Sequence, residues 1–230
     1  MKDIFSLFPK LVAVWGLALW LILVLPCRQM GSQQPVVSEE SGSPTQVYPV
    51  FVEGITAVGK DLFLSEGCHV CHTQVVRGPG RSDIVRGWGN RRSVSRDFLF
   101  EIGVPIGWYR IGPDLSNVGS SFWRNESKDD YLTEDRSDVS WMYAALIRGG
   151  ARLSSSGHSS MPSYSRLFNV VDRVSASELS KRIGRRLSDG LFYEPSAEAV
   201  ALVAYMSSLQ RDFPLEEAGP STSVKGGAGR

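Results

Sequence analysis

Residues 11–25 carry no charged or strongly polar side chain, and Phe5, Leu7 and Phe8 extend the apolar pattern back past Pro9 and Lys10. A helix rising about 1.5 Å per residue needs about 20 residues to cross a hydrocarbon core of about 30 Å, so this run predicts a membrane helix. Its uninterrupted part is shorter than that, and a cleaved signal peptide is the alternative. Trp15 and Trp20 are bulky for a signal-peptide core, and Pro26-Cys27-Arg28-Gln29-Met30 offers no small-x-small cleavage pattern, which favours an uncleaved anchor over residues 1–30. Lys2 and Lys10 precede the span while Glu39 and Glu40 follow it, so the positive-inside rule leaves the N-terminus in the cytoplasm and the rest outside it.

Beyond the anchor the pattern changes. Residues 31–49 have the Gly, Ser, Pro and Gln content of a flexible or extended linker, and residues 214–230 read as a disordered tail ending in Gly226-Gly227-Ala228-Gly229-Arg230. Between them, residues 50–213 form the expected folded domain. Residues 57–64 read as a helix with Gly59 and Phe63 on one face, and Leu202 and Tyr205 share a face of a last helix within 199–205. A glycine at that position lets the two helices cross closely. Residues 142–147 form a third apolar helical run.

Composition narrows the choices only slightly. Lysine and arginine number 25 against 24 aspartates and glutamates, so no global field marks a nucleic-acid partner. The three cysteines, Cys27, Cys68 and Cys71, are too few and too unevenly placed for a disulfide-stapled scaffold. Cys27 follows a proline, a poor context for lipidation, and reads as a lone thiol at the membrane interface.

The decisive segment is Cys68-His69-Val70-Cys71-His72. Two cysteines three apart put both thiols on one side of a helical turn, where they can add across the two vinyl groups of a haem while the following histidine meets the iron. A zinc site would need further ligands at metal spacing, and a redox dithiol would need a βαβ context; neither pattern is present. With a single such motif, the expectation is one covalent haem c, attached through Cys68 and Cys71 with His72 on the iron. Met161 is the expected second axial ligand, because the polar, turn-rich run Ser159-Ser160-Met161-Pro162-Ser163-Tyr164 gives a methionine no packing role. Met142 and Met206 sit in apolar helical runs and read as core filler. His158 is the runner-up ligand and a vacant sixth position the third option. In Gly112-Pro113-Asp114-Leu115 a rigid turn can lay a backbone carbonyl, with Pro113 the candidate, against the imidazole, fixing its orientation and raising its basicity.

These residues carry a resemblance. Glu66-Gly67-Cys68 through Arg77 with Arg81, Asp83, Arg86 and Gly89, then Arg110-Ile111-Gly112-Pro113-Asp114-Leu115 with Val118-Gly119, then Ser160-Met161-Pro162-Ser163-Tyr164, are similar to the membrane-anchored monohaem cytochrome c subunit (subunit II, FixO or CcoO type) of the C-family, cbb-type haem-copper oxidases. The resemblance implies an all-α, class I cytochrome c-like domain behind one transmembrane helix, His72 and Met161 as axial ligands, and Arg77 near the haem or a partner surface. It implies a single-pass protein of a bacterial inner membrane with its haem domain in the periplasm. Its partners would be the catalytic haem-copper oxidase subunit and other cytochrome c subunits. Gly78 stands where that family typically has proline, and the segment from Gly119 to Met161, with Asp129, Asp130, Glu134, Asp135 and Asp138, is longer than usual. The basic stretch 170–186, with Lys181, Arg182, Arg185 and Arg186, reads as a solvated amphipathic face in preference to a docking patch.

Of the three histidines, two lie in the motif, so a haem-copper centre with its several histidines belongs to another subunit. The competing readings are an independent anchored electron carrier and a haem peroxidase with an open sixth position.

Overall fold

The apolar N-terminal run folds as α1 (Lys2–Leu19), one π-helical turn (Trp20–Val24) and α2 (Leu25–Gly31) in continuous succession. Pro26 lacks the amide that would bond back to residue 22, and the widened turn lies directly before it. The stretch Leu7–Gly31 is long and apolar enough to cross a membrane, and none of it is buried against protein. This computed structural model describes residues 2–38, 45–78, 82–123, 138–149, 152–154, 157–158, 160–183 and 190–219. Glu39, Glu40, the linker residues 41–44, Arg81, the acidic Asp129, Asp130, Glu134 and Asp135, Arg185, Arg186 and the tail 220–230 lie outside the described residues.

The chain divides into two compact units, Met1–Val50 with Val94–Phe100, and Phe51–Ser93 with Glu101–Arg230. In the first, part of the expected linker is a hairpin: β1 (Val36–Ser38) pairs antiparallel with β2 (Gln46–Tyr48), Val37 opposite Val47. The β-branched and aromatic residues here suit a pleated pair. The Tyr48 hydroxyl donates to Asp97 Oδ1 at 2.7 Å, and Gln33 Nε2 donates to Ser95 Oγ at 2.8 Å, which ties the short 3-10 turn Ser95–Phe98 to the hairpin.

The second unit is built on the crossing of α3 (Ile55–Ser65) with the last helix. Its next elements are the one-turn helices α4 (Cys68–Cys71) and α5 (Ser82–Val85), then α6 (Ser140–Arg148). A hairpin of β3 (Arg152–Ser154) with β4 (Gly157–His158) follows, then β5 (Phe168–Val171) pairs with β6 (Phe192–Pro195) across the intervening α7 (Glu178–Ile183), and α8 (Ala197–Ser208) comes after β6. Among the described residues the molecule is therefore helix-rich, with three two-stranded sheets that an all-α expectation does not contain. Val170 and Val171 belong to β5, not to a basic amphipathic helix. Further on, Lys181 pairs with Glu178 and Arg182 with Asp138, each at 2.7 Å.

At the crossing, a Cβ built on Gly59 would overlap the Ala201 carbonyl and lie 2.8 Å from Tyr205 Cβ. One turn on, the Phe63 ring meets the Tyr205 ring edge-on at 5.5 Å. These two rings join Leu202, Leu146, Leu167 and Trp123 in one core, which also takes in Met142, with Met206 packed at its margin. The tail is ordered further than its composition suggests: Ala218 ends the 3-10 turn Glu216–Ala218, Leu215 caps its start, and both are buried. Arg91 Nε donates to the Phe213 carbonyl at 2.7 Å, and Arg92 Nη2 to the Glu217 carbonyl at 2.6 Å, so arginines distant in sequence hold this segment down.

A methyl group at position 59 must push α3 off α8. Gly59→Ala is expected to cost about 1–3 kcal/mol, the usual range for overpacking, read as a lower urea midpoint. Val58→Ala on the exposed side of the same helix is the control, and equal midpoints for the two variants would contradict a tight crossing.

Candidate haem-binding site

Helix α4 is a single turn that places Cys68 and Cys71 three apart, and His72 is its C-terminal cap in extended conformation (φ −118°, ψ 132°). So short a helix leaves its carbonyls without intrahelical partners. A strap formed by residues 106–115 supplies them. The amides of Trp108, Tyr109 and Gly112 each donate at 3.0 Å, to His69, Val70 and Cys71 respectively, and the Leu115 amide donates to the Thr73 carbonyl at 2.8 Å. In return the Gln74 amide donates to the Ile106 carbonyl at 3.0 Å. The Trp108 ring also meets His69 edge-on at 5.6 Å.

The strap also fixes the His72 ring. Nδ1 lies 2.9 Å from the Pro113 carbonyl oxygen, which can only accept, so the ring proton sits on Nδ1 and Nε2 keeps its lone pair. Gly112 lies flat on the imidazole: a Cβ there would overlap Cε1 and lie 2.7 Å from Nδ1. Burial pushes the His72 pKa down, against the opposing pull of the Pro113 carbonyl and the nearby Asp114 charge. The ring is therefore neutral at neutral pH, the form a metal takes. Cys68 and Cys71 are free thiols. Burial pushes the Cys68 thiol up to about 11, partly offset by a hydrogen bond with Tyr164.

Tyr164 links the motif to the Met161 segment. Its hydroxyl lies 3.4 Å from the Glu66 carbonyl, and Arg166 forms an ion pair with the Glu66 side chain. The same segment is tied to the end of α6: Ser163 Oγ donates to the Ile147 carbonyl and the Tyr164 amide to the Leu146 carbonyl, both at 2.8 Å. Met161, half-buried, packs on the core cluster that Cys68 also touches. His158 lies on β4, in register with Arg152 of β3.

Arg77 stands in a run of alternating charges. Its Nε and Nη2 grip Asp83 at 3.0 and 2.7 Å, and the Arg77 amide donates to Asp83 as well, at 2.9 Å. Asp83 also accepts from Arg110 Nη1 at 2.7 Å, and Arg110 Nη2 lies 3.7 Å from Asp114 Oδ2. Asp83 and Asp114 are both fully buried. Burial alone would raise the Asp83 pKa, but the hydrogen bonds from Arg77 and the charges of Arg110 and Arg77 hold it below the usual carboxylate range. Reading the sequence alone passes over this ladder. Its only trace there is two acids and two bases in a turn-rich region, and the four-residue spacing of Arg110 and Asp114 has no helix under it.

The residues fit a covalently attached haem: two reduced thiols on one turn, a neutral imidazole with its free nitrogen defined, and a glycine where a side chain would displace the ring. The ladder gives a prediction of its own. A carboxylate with a depressed folded-state pKa contributes stability that is complete above its unfolded pKa, about 3.9, and is lost as pH falls through the folded value. Asp83→Asn is expected to cost about 3 kcal/mol at pH 7, since breaking a buried pair leaves charge unmatched. The gap from the parent should shrink below about pH 4. A gap that stays constant between pH 7 and pH 3 in denaturant titrations would rule out ion pairing as its source.

A search of curated proteins found no match to this chain. The family model described as cytochrome c oxidase, mono-heme subunit/FixO, matches residues 35–195, which takes in the Cys68–His72 motif, the strap, the ladder and the Met161 segment. That is more than half of the 230 residues, and the chain belongs to the FixO family of mono-haem cytochrome c oxidase subunits.

Proposed function

We propose that the chain carries one haem c, bonded through Cys68 and Cys71, with His72 and Met161 on its iron, and passes single electrons toward the oxygen-reducing subunit of a cbb-type oxidase. The observation that carries this reading is the His72 ring held between the Pro113 carbonyl and the bare face of Gly112, one residue beyond two free thiols. When bound, the group supplies a one-electron couple and nothing more is asked of it. The protein's residues supply the rest. Pro113 keeps the proton on Nδ1 and makes Nε2 a better donor. Gly112 leaves the ring free to sit square, and the strap gives the motif its missing hydrogen bonds. A thioether from Met161 would favour the reduced state and raise the potential.

The coarse architecture of the second unit suits a class I cytochrome c-like domain, in which a first and a last helix cross while loops carry the ligands. We assign residues 1–30 to a transmembrane anchor, 31–49 to its connection, 50–213 to the haem domain and 214–230 to a tail. Lys2 and Lys10 ahead of the span support a haem domain on the periplasmic side of a bacterial inner membrane. Arg77 acts on the haem through the ladder that it ends. The partners are the catalytic haem-copper subunit and other cytochrome c subunits.

Two measurements test this. Cys68→Ala combined with Cys71→Ala should abolish haem staining on a denaturing gel, and persistent staining would refute the attachment. Mild detergent extraction through a C-terminal tag should recover the chain with a large, histidine-rich membrane subunit. Recovery of the haem-bearing chain alone would point to an independent carrier.

A further inference from the structure

The ladder ends on a residue with more reach than an ion pair requires. Asp114 Oδ2 accepts from Thr73 Oγ1 at 2.7 Å and from the Val75 amide at 2.8 Å, and Oδ1 accepts from the Ser116 amide at 2.9 Å. Its own carbonyl accepts from Trp123 Nε1 at 3.0 Å, and Trp123 is stacked on Trp141 at 5.9 Å. Thr73 directly follows His72, and Pro113, whose carbonyl meets the imidazole, directly precedes Asp114. One buried side chain therefore grips the chain next to both partners of the His72–Pro113 hydrogen bond. Most of its contacts come from neutral donors, and Arg110 stands off at 3.7 Å. A carboxylate is a costly way to make hydrogen bonds that a neutral group could make in part, unless its geometry or charge is used.

We propose that Asp114 is a positioning residue for the His72 ligand: by clamping residues 73–75 to the strap it sets the length of the Nδ1–H···O bond to Pro113, and through that bond the reduction potential. The inference rests on the haem reading above. A tighter bond moves electron density toward Nε2 and favours the oxidised metal, so slackening the clamp raises the potential. The fixed negative charge acts in the same direction, and Asp114→Asn alone does not separate the two.

Thr73→Val separates them. It removes one donor at nearly constant shape and leaves the charge. With less compensation of the carboxylate, a purely electrostatic role moves the potential down. A positioning role moves it up.

The test is redox titration of the haem-loaded, detergent-solubilised chain, with exchange of the His72 Nδ1 proton followed by NMR. Thr73→Val should raise the reduced-to-oxidised ratio at a fixed solution potential about threefold, and Asp114→Asn about tenfold, which is 59 mV for a one-electron couple. Exchange of the Nδ1 proton should quicken in both, while Thr73→Ser, which keeps the hydroxyl, restores the parent values. If Asp114→Asn does not accumulate, the two Thr73 variants decide. Haem retained with an unchanged or lowered potential in Thr73→Val overturns the positioning role. A parent chain with no covalent haem overturns instead the reading on which it rests.

Discussion

An imidazole can serve a metal only when one ring nitrogen is bare and aimed, and what surrounds His72 meets that demand. The Pro113 carbonyl fixes which nitrogen carries the proton. Burial keeps the ring neutral. Gly112 must lack a side chain because the ring occupies that space. None of these holds unless residues 112–115 are themselves immobile, since a carbonyl on a loose loop would lose the ring to water. The strap is held by the His69, Val70 and Cys71 carbonyls of α4, and α4, a single turn, is held in turn by the strap's amides. Each stabilises the other, as expected where isolated helices this short do not form.

The ladder extends that mutual support outward. Arg77, Asp83, Arg110 and Asp114 alternate in sign and sum to zero, so burying two carboxylates leaves no net charge in the interior. Their backbone contacts matter as much. Asp83 holds the Arg77 amide and Asp114 the Val75 amide, which pins the chain leaving the motif. Segment 73–77, which belongs to no helix or sheet, is thus held by side chains as well as by its backbone bonds to the strap.

This explains which parts are legible in the sequence. Periodic elements are: the apolar run at the N-terminus, the helices around Gly59, Met142 and Leu202, and the glycine-mediated crossing of the first and last of the domain's long helices all follow from spacing. The Cys68–His72 motif is legible because its chemistry needs that spacing alone. Hairpins are less so. Val36 and Val37 lie within a stretch whose Gly, Ser and Pro content reads as linker, and their partners, Tyr48 and Val47, stand behind that composition. The segment that carries Leu215 and Ala218 is held at Phe213 and Glu217 by arginines more than a hundred residues earlier, which no local window contains. The ladder is the least visible, because a buried Asp and an exposed Asp look alike until the fold shows their partners.

The two segments assigned to the proposed haem also share a support. Cys68 and Met161 both rest on the core built from α3, α6 and α8. The Met161 segment is hydrogen-bonded to the end of α6, and Tyr164, three residues on, reaches Glu66 just ahead of the first cysteine. A ligand loop tied only by its ends would pay conformational entropy each time it closed on a metal. One tied to a packed helix within two residues of the methionine has most of that entropy already removed by folding. The same core that brings Gly59 against Ala201 therefore limits how far the Met161 segment can move relative to Cys68, and a change in the helix crossing reaches the site without touching any residue in it.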